Sequence, residues 1–95
     1  MPWNYRLCKE KVRDDVGGEP VYYYSVREAF FNQDGSIWAI GGEASLGCDK
    51  YATDTEEWVK SDLQQDLEHQ RQAFSRAVID LDTIVYAAQE QVVDL

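Results

Sequence analysis

The chain has 95 residues, enough for one hydrophobic core and no second folded unit, so the reading is a single domain over residues 1–95. Hydrophobic residues make up 44% and aromatics 13%, which is too apolar for a disordered chain. Nine basic against eighteen acidic residues give a net charge of -9, which repels phosphate backbones and argues against a nucleic-acid partner. The acid is concentrated after Lys50. No run of 18 apolar residues and no signal-peptide pattern is present, so the expectation is a cytoplasmic protein with no membrane role.

In chain order, all six glycines and both prolines fall before Lys50, with eight of the twelve aromatics. Trp3, Tyr5 and Leu7 alternate with Asn4, Arg6 and Cys8, which predicts a first strand over about 3–12. Asp14 to Pro20 holds Gly17 and Gly18 and reads as a hairpin loop. Residues 21–31 are rich in β-branched and aromatic types and predict a long central strand. Asn32-Gln33-Asp34-Gly35 supplies a turn, and 36–42 returns as a third strand. The expected sheet is a three-stranded antiparallel meander.

From Lys50 onward there is neither glycine nor proline. Thr53 with Glu56, or Asp54 with Glu57, offers a capping box, and a helix is predicted over about 54–78. Val59, Leu63, Leu67, Phe74, Val78 and Leu81 form the stripe expected to lie on one sheet face, with Asp62, Asp66, Glu68 and Arg71 in water. The spacing of Leu63, Leu67, Gln70, Phe74, Ala77, Leu81, Ile84 and Ala88 allows one helix to about 92, but the β-branched residues and capping-type aspartates around Asp80 weaken it, and a break there with a second helix over about 83–92 is the favoured reading. The fold class is therefore α+β.

The opening Trp3-Asn4-Tyr5-Arg6, the run Tyr24 to Asn32 with its glycine turn, and the capped helix closing in Ala77-Val78-Ile79-Asp80 resemble a family of small bacterial proteins. Some of these travel as mobile gene-cassette cargo, including integron cassettes. The resemblance covers roughly residues 3–80 and implies a β-β-β-α domain, similar in element order to part of the HicB-like antitoxins. This chain lacks a proline near residue 77, has a longer tail and carries no basic DNA-binding appendage, so an antitoxin function does not come with the likeness.

Chemistry is sparse. His69 is the single histidine, and neither Cys8 nor any serine sits in a nucleophile motif, so no catalytic residue is assigned. Cys8 and Cys48 lie 40 residues apart without a Cys-x-x-Cys pair, which predicts reduced thiols and no metal, with Cys48 in a loop. Asp62, Asp66 and His69 share a helix face at i, i+4 and i+7, an arrangement more common on solvated helices than at metals. Gly41 to Gly47 lacks the spacing and the lysine of a phosphate loop, and no cofactor is implied.

Glu28 is the most informative charge. Strand alternation places it with Tyr22, Tyr24, Val26 and Phe30, where an unpaired carboxylate is costly. It is read either as a ligand-binding or acid-base carboxylate in a tyrosine-lined cleft with Tyr22 and Tyr24, or as a partner of Arg6, or as turned outward by a bulge. The opposite face carries Tyr23, Phe31 and Ile37 or Trp38. One helix covers one face, so Tyr23, Phe31 and Trp38 are the expected contacts of a homodimer, unless the segment holding Ile84, Val85 and Tyr86 folds over them. The reading favoured is a protein-interaction or regulatory module. A small-molecule binder or minimal enzyme built on Glu28 is the alternative, and an acidic decoy for a basic protein the third.

Overall fold

A computed structural model describes residues 2–47 and 53–91. Three strands, β1 (Trp3–Asp14), β2 (Pro20–Phe31) and β3 (Ile37–Glu43), precede a helix α1 (Glu56–Arg71), one 3-10 turn (Gln72–Ser75) and a two-residue strand β4 (Ile79–Asp80). The sheet is four-stranded and mixed, in the order β3-β2-β1-β4, with β4 parallel to β1. The fourth strand is a correction to the three expected.

The two turns are built as their residues require. Asp15 Oδ1 accepts the N–H groups of Gly17 and Glu19, and Gly18 takes φ +83°. In the second turn Asp34 Oδ1 accepts the Ser36 N–H and hydroxyl, and Gly35 takes φ +86°. Left-handed φ is open to glycine at no steric cost.

Pairing fixes the faces. Cys8 stands opposite Ser25 and Tyr5 opposite Glu28, so Asn4, Arg6, Cys8 and Glu10 share one face with Tyr23, Ser25, Arg27, Ala29 and Phe31. Trp3, Tyr5, Leu7, Lys9 and Lys11 share the other with Tyr22, Tyr24, Val26, Glu28 and Phe30. Helix α1 lies on the second, the helix side. Residues 81–90 cross the first, the tail side.

The tail is the main correction. No helix forms over residues 83–91; residue 92 lies outside the described residues. Instead, Leu81 and Ile84 pack on a core of Cys8, Ala29 and Ile79, joined by Phe31, Ile37 and Ile40. The buried sheet residues here are small (Cys8, Ser25, Ala29), so an extended segment approaches closely enough to exclude water. At its far end Asn32, 7% exposed, holds it: Asn32 Nδ2 donates to the Ala88 carbonyl (2.9 Å), and the Glu90 N–H donates to Asn32 Oδ1 (2.8 Å). The Ala87 N–H donates to the Ile37 carbonyl at 2.8 Å. Val85 and Tyr86 point to solvent.

Helix α1 is also shorter and less buried than the periodicity predicts. Its N-cap is Thr55, with no side-chain cap bond, and no residue of the helix is buried. Val59, Leu63, Asp66 and Gln70 are half-buried, an i, i+4, i+7, i+11 stripe that keeps a strict heptad. Leu67 and Phe74, expected in the core, are 45% and 67% exposed. Helical phase explains this: the sheet takes a polar pair, Asp66 and Gln70, where the sequence offers Leu67 one step round.

Candidate functional site: the helix side of the sheet

On the helix side, Trp3 and Tyr5 stand edge to face at 5.3 Å between ring centroids. The Tyr5 hydroxyl donates to Asp66 Oδ1 at 3.5 Å, and Gln70 reaches the Ser45 carbonyl at 3.4 Å. These bonds come from the last two turns of α1, so the helix is held at one end of the sheet. Burial, then the charges of Asp66 and Glu28, hold the Tyr5 phenol above its ordinary range, and it stays a donor.

Two open recesses flank Tyr5. One, about 290 Å³, is lined by Trp3, Asn4, Tyr5, His69, Gln72 and Arg76. Arg76 closes its floor by donating to the Tyr5 carbonyl at 3.2 Å. The other, about 320 Å³, is lined by Tyr5, Glu28, Gly42, Glu43, Ala44 and Ser45. Glu28 is its helix-side carboxylate, and no basic residue lines it.

Glu28 therefore lies on the face that alternation assigns it, half-buried beside Tyr5. The expected pairing with Arg6 does not form. Arg6 sits on the tail side opposite Arg27 and donates to the Ala77 carbonyl at 2.7 and 3.0 Å. Nor is Glu28 turned outward: pairing shifts between Arg27 and Ala29, but the extra residue is in β3, where a Cβ on Gly41 would come within 3.5 Å of Glu28 Cβ. That is ordinary van der Waals contact, so β3 packs against the stem of the carboxylate.

Tyr22 and Tyr24 share this face but do not line the Glu28 recess. They lie further along the hairpin, 38% and 52% exposed, with Lys9 Nζ 4.9 Å from the Tyr22 ring. The expected interface residues are divided. Tyr23 is on the tail side, its hydroxyl donating to Glu43 at 2.6 Å. Phe31 packs under the tail. Trp38 packs on Phe30 at 5.4 Å, which places it on the helix side, because a pairing shift at Phe30 and Phe31 adds a residue to β3.

Asp62, Asp66 and His69 do not form a group able to hold a metal ion, and no other such group exists among the described residues. Asp66 faces Tyr5, whereas His69 lines the first recess. The role of Tyr5 was missed at the sequence level. Its signal was present in alternation, which gives Tyr5 and Glu28 to aromatic faces, but their juxtaposition depends on register. Cys48 lies outside the described residues.

Compared with known proteins, the chain matches no family model, no curated protein and no solved structure. No described helix is long and apolar enough to cross a membrane.

Proposed function

We propose that this chain is a protein-interaction module that works as a homodimer. One observation carries the reading: the single chain exposes far more surface than a folded monomer of its size. Its accessible area is 7312 Å², against about 5,600 Å² from the size scaling of monomers at this mass. The difference, about 1,700 Å², is roughly twice the 800 Å² that each partner gives to a standard interface. The radius of gyration agrees, at 17.2 Å against about 12 Å for a compact domain of this length.

The surplus is apolar in character. Among the described residues only Cys8, Ala29, Ala73 and Ile79 are buried hydrophobics, while Trp3, Tyr22, Tyr24 and Trp58 are among the large exposed ones. A second copy is the usual means of covering such a surface in a soluble chain. The alternative reading, a binder or minimal enzyme on Glu28, has less support because Tyr22 and Tyr24 stand away from its recess. The cytoplasmic address and the place among mobile-cassette proteins belong to the same proposal and rest on the sequence.

Multi-angle light scattering tests this. Twice the chain mass of 10.9 kDa is expected at micromolar concentration. A monomer mass across the whole concentration range overturns the reading.

A further inference from the structure

We infer that the second copy seats on the helix side of the β1–β2 hairpin, face to face about a two-fold axis, with Lys11 of each copy entering the Glu28 recess of the other. The inference rests on the dimer reading and deepens it by choosing the surface.

The tail side is closed to this role over its lower half. Phe31, Ile37 and Ile40 already pack with Leu81 and Ile84 around the core. On the helix side α1 is anchored near Tyr5, and among the described residues the hairpin tip beyond Lys11, whose N–H is accepted by Asp82 Oδ2 at 2.8 Å, is exposed throughout. Residues 11–20 are all exposed, as are Tyr22 and Tyr24. Neither outer strand supports that end, because β3 pairs with β2 only from Arg27 onward and β4 meets β1 only at Cys8 and Lys9. A two-stranded ribbon is marginal in water by itself. It needs a surface to lie on.

The face is self-complementary. Lys9 and Lys11 mark one end, Glu28 the other, and Leu7, Val26 and Tyr24 fill the middle. Tyr22, opposite Lys11, is six residues from Glu28, or about 20 Å along the strand. A two-fold axis near the level of Ser25 inverts this order, so that the basic end of one copy meets the acidic end of the other and the apolar middles meet each other. In a two-fold contact residue i touches j and j touches i, so opposite charges at the two ends of one face favour that arrangement. Translating one copy in parallel would set like charges together.

The recess is suited to a lysine. Glu28 lines it with no basic side chain in its wall, the Glu43 carboxylate being taken by the Tyr23 hydroxyl on the tail side, and among the described residues the Glu28 carboxylate makes no hydrogen bond or ion pair. Lys11 is now paired with Asp14 at 2.9 Å, an i,i+3 contact with both side chains about half exposed. Such surface pairs exchange at little cost.

Charge reversal tests the assignment, with the dimer dissociation constant read by sedimentation equilibrium. Lys11→Glu and Glu28→Lys are each expected to raise it about tenfold or more. An equimolar mixture of the two variants is expected to return to the wild-type value, since every cross-pair in the mixed dimer is again of opposite sign. Tyr24→Ser, at a position 52% exposed, is expected to weaken the dimer while circular dichroism stays native. Wild-type dimerisation unaffected by either reversal, or weakened by both without recovery on mixing, overturns the surface and leaves the dimer reading standing. A monomeric wild type overturns both.

Discussion

The two segments that follow the sheet contrast in an instructive way. Helix α1 is sixteen residues of regular structure and buries none of them. The tail from Leu81 to Glu90 has almost no regular structure, yet it closes the core by laying Leu81 and Ile84 over Cys8 and Ala29. Local regularity and contribution to the core are thus separate properties. A helix needs only its own backbone bonds, whereas the extended tail satisfies its polar groups by bonding to the sheet, at Ile37 and Asn32.

The contrast makes unequal predictions for the two segments. The largest effect is expected at Ile79, 7% exposed where β4 meets Cys8. Ile79→Ala should lower stability by about 2 to 5 kcal/mol in a urea melt. Asn32→Ala should come next, at about 1 to 3 kcal/mol, because it leaves the Glu90 N–H and the Ala88 carbonyl without their partner. Its signature is local: hydrogen exchange at the Ala87 amide should quicken more than exchange in β1 and β2.

The tail's seal over Cys8 gives a pH dependence. Burial pushes the Cys8 thiol above its ordinary value of 9.0, opposed in part by Arg27 and Arg6. A group raised in the folded state contributes its stability fully below the unfolded value and loses it as pH climbs through the folded one. Melts should therefore show stability falling above about pH 9, with Cys8→Ala showing less of that fall. Tyr5, raised by burial and by Asp66, acts in the same direction at higher pH.

The smallest effects belong to the helix and the 3-10 turn that follows it. Leu67→Ala and Phe74→Ala should each change stability by under about 1 kcal/mol, because both side chains already face water. A loss of several kcal/mol from either would place the helix stripe where its sequence periodicity puts it and contradict the packing described.

How far the sequence leads depends on the range over which each feature is determined. The first three strands and both glycine turns follow from local signals, such as the alternation through Trp3, Tyr5 and Leu7. So does the face of Glu28, because a period of two survives any error in strand ends. The phase of α1 does not, since Leu67 and Asp66 differ by one position and only the sheet decides which points inward. The tail was legible least. Ile84 and Ala88 continue a helical spacing, and what overrides it is a set of bonds to residues fifty or more positions away, which no local pattern encodes. The position of Trp38 was lost to a single extra residue in β3.

The claim that the two faces differ, one sealed by the chain itself and one left for a second copy, is tested most directly by methyl chemical shifts followed through a dilution series. The account predicts that Leu7 and Val26 signals move with concentration while those of Ile37 and Ile84 stay fixed. Movement at Ile37 and Ile84 with Leu7 and Val26 unchanged, or no movement at any of the four, would contradict it.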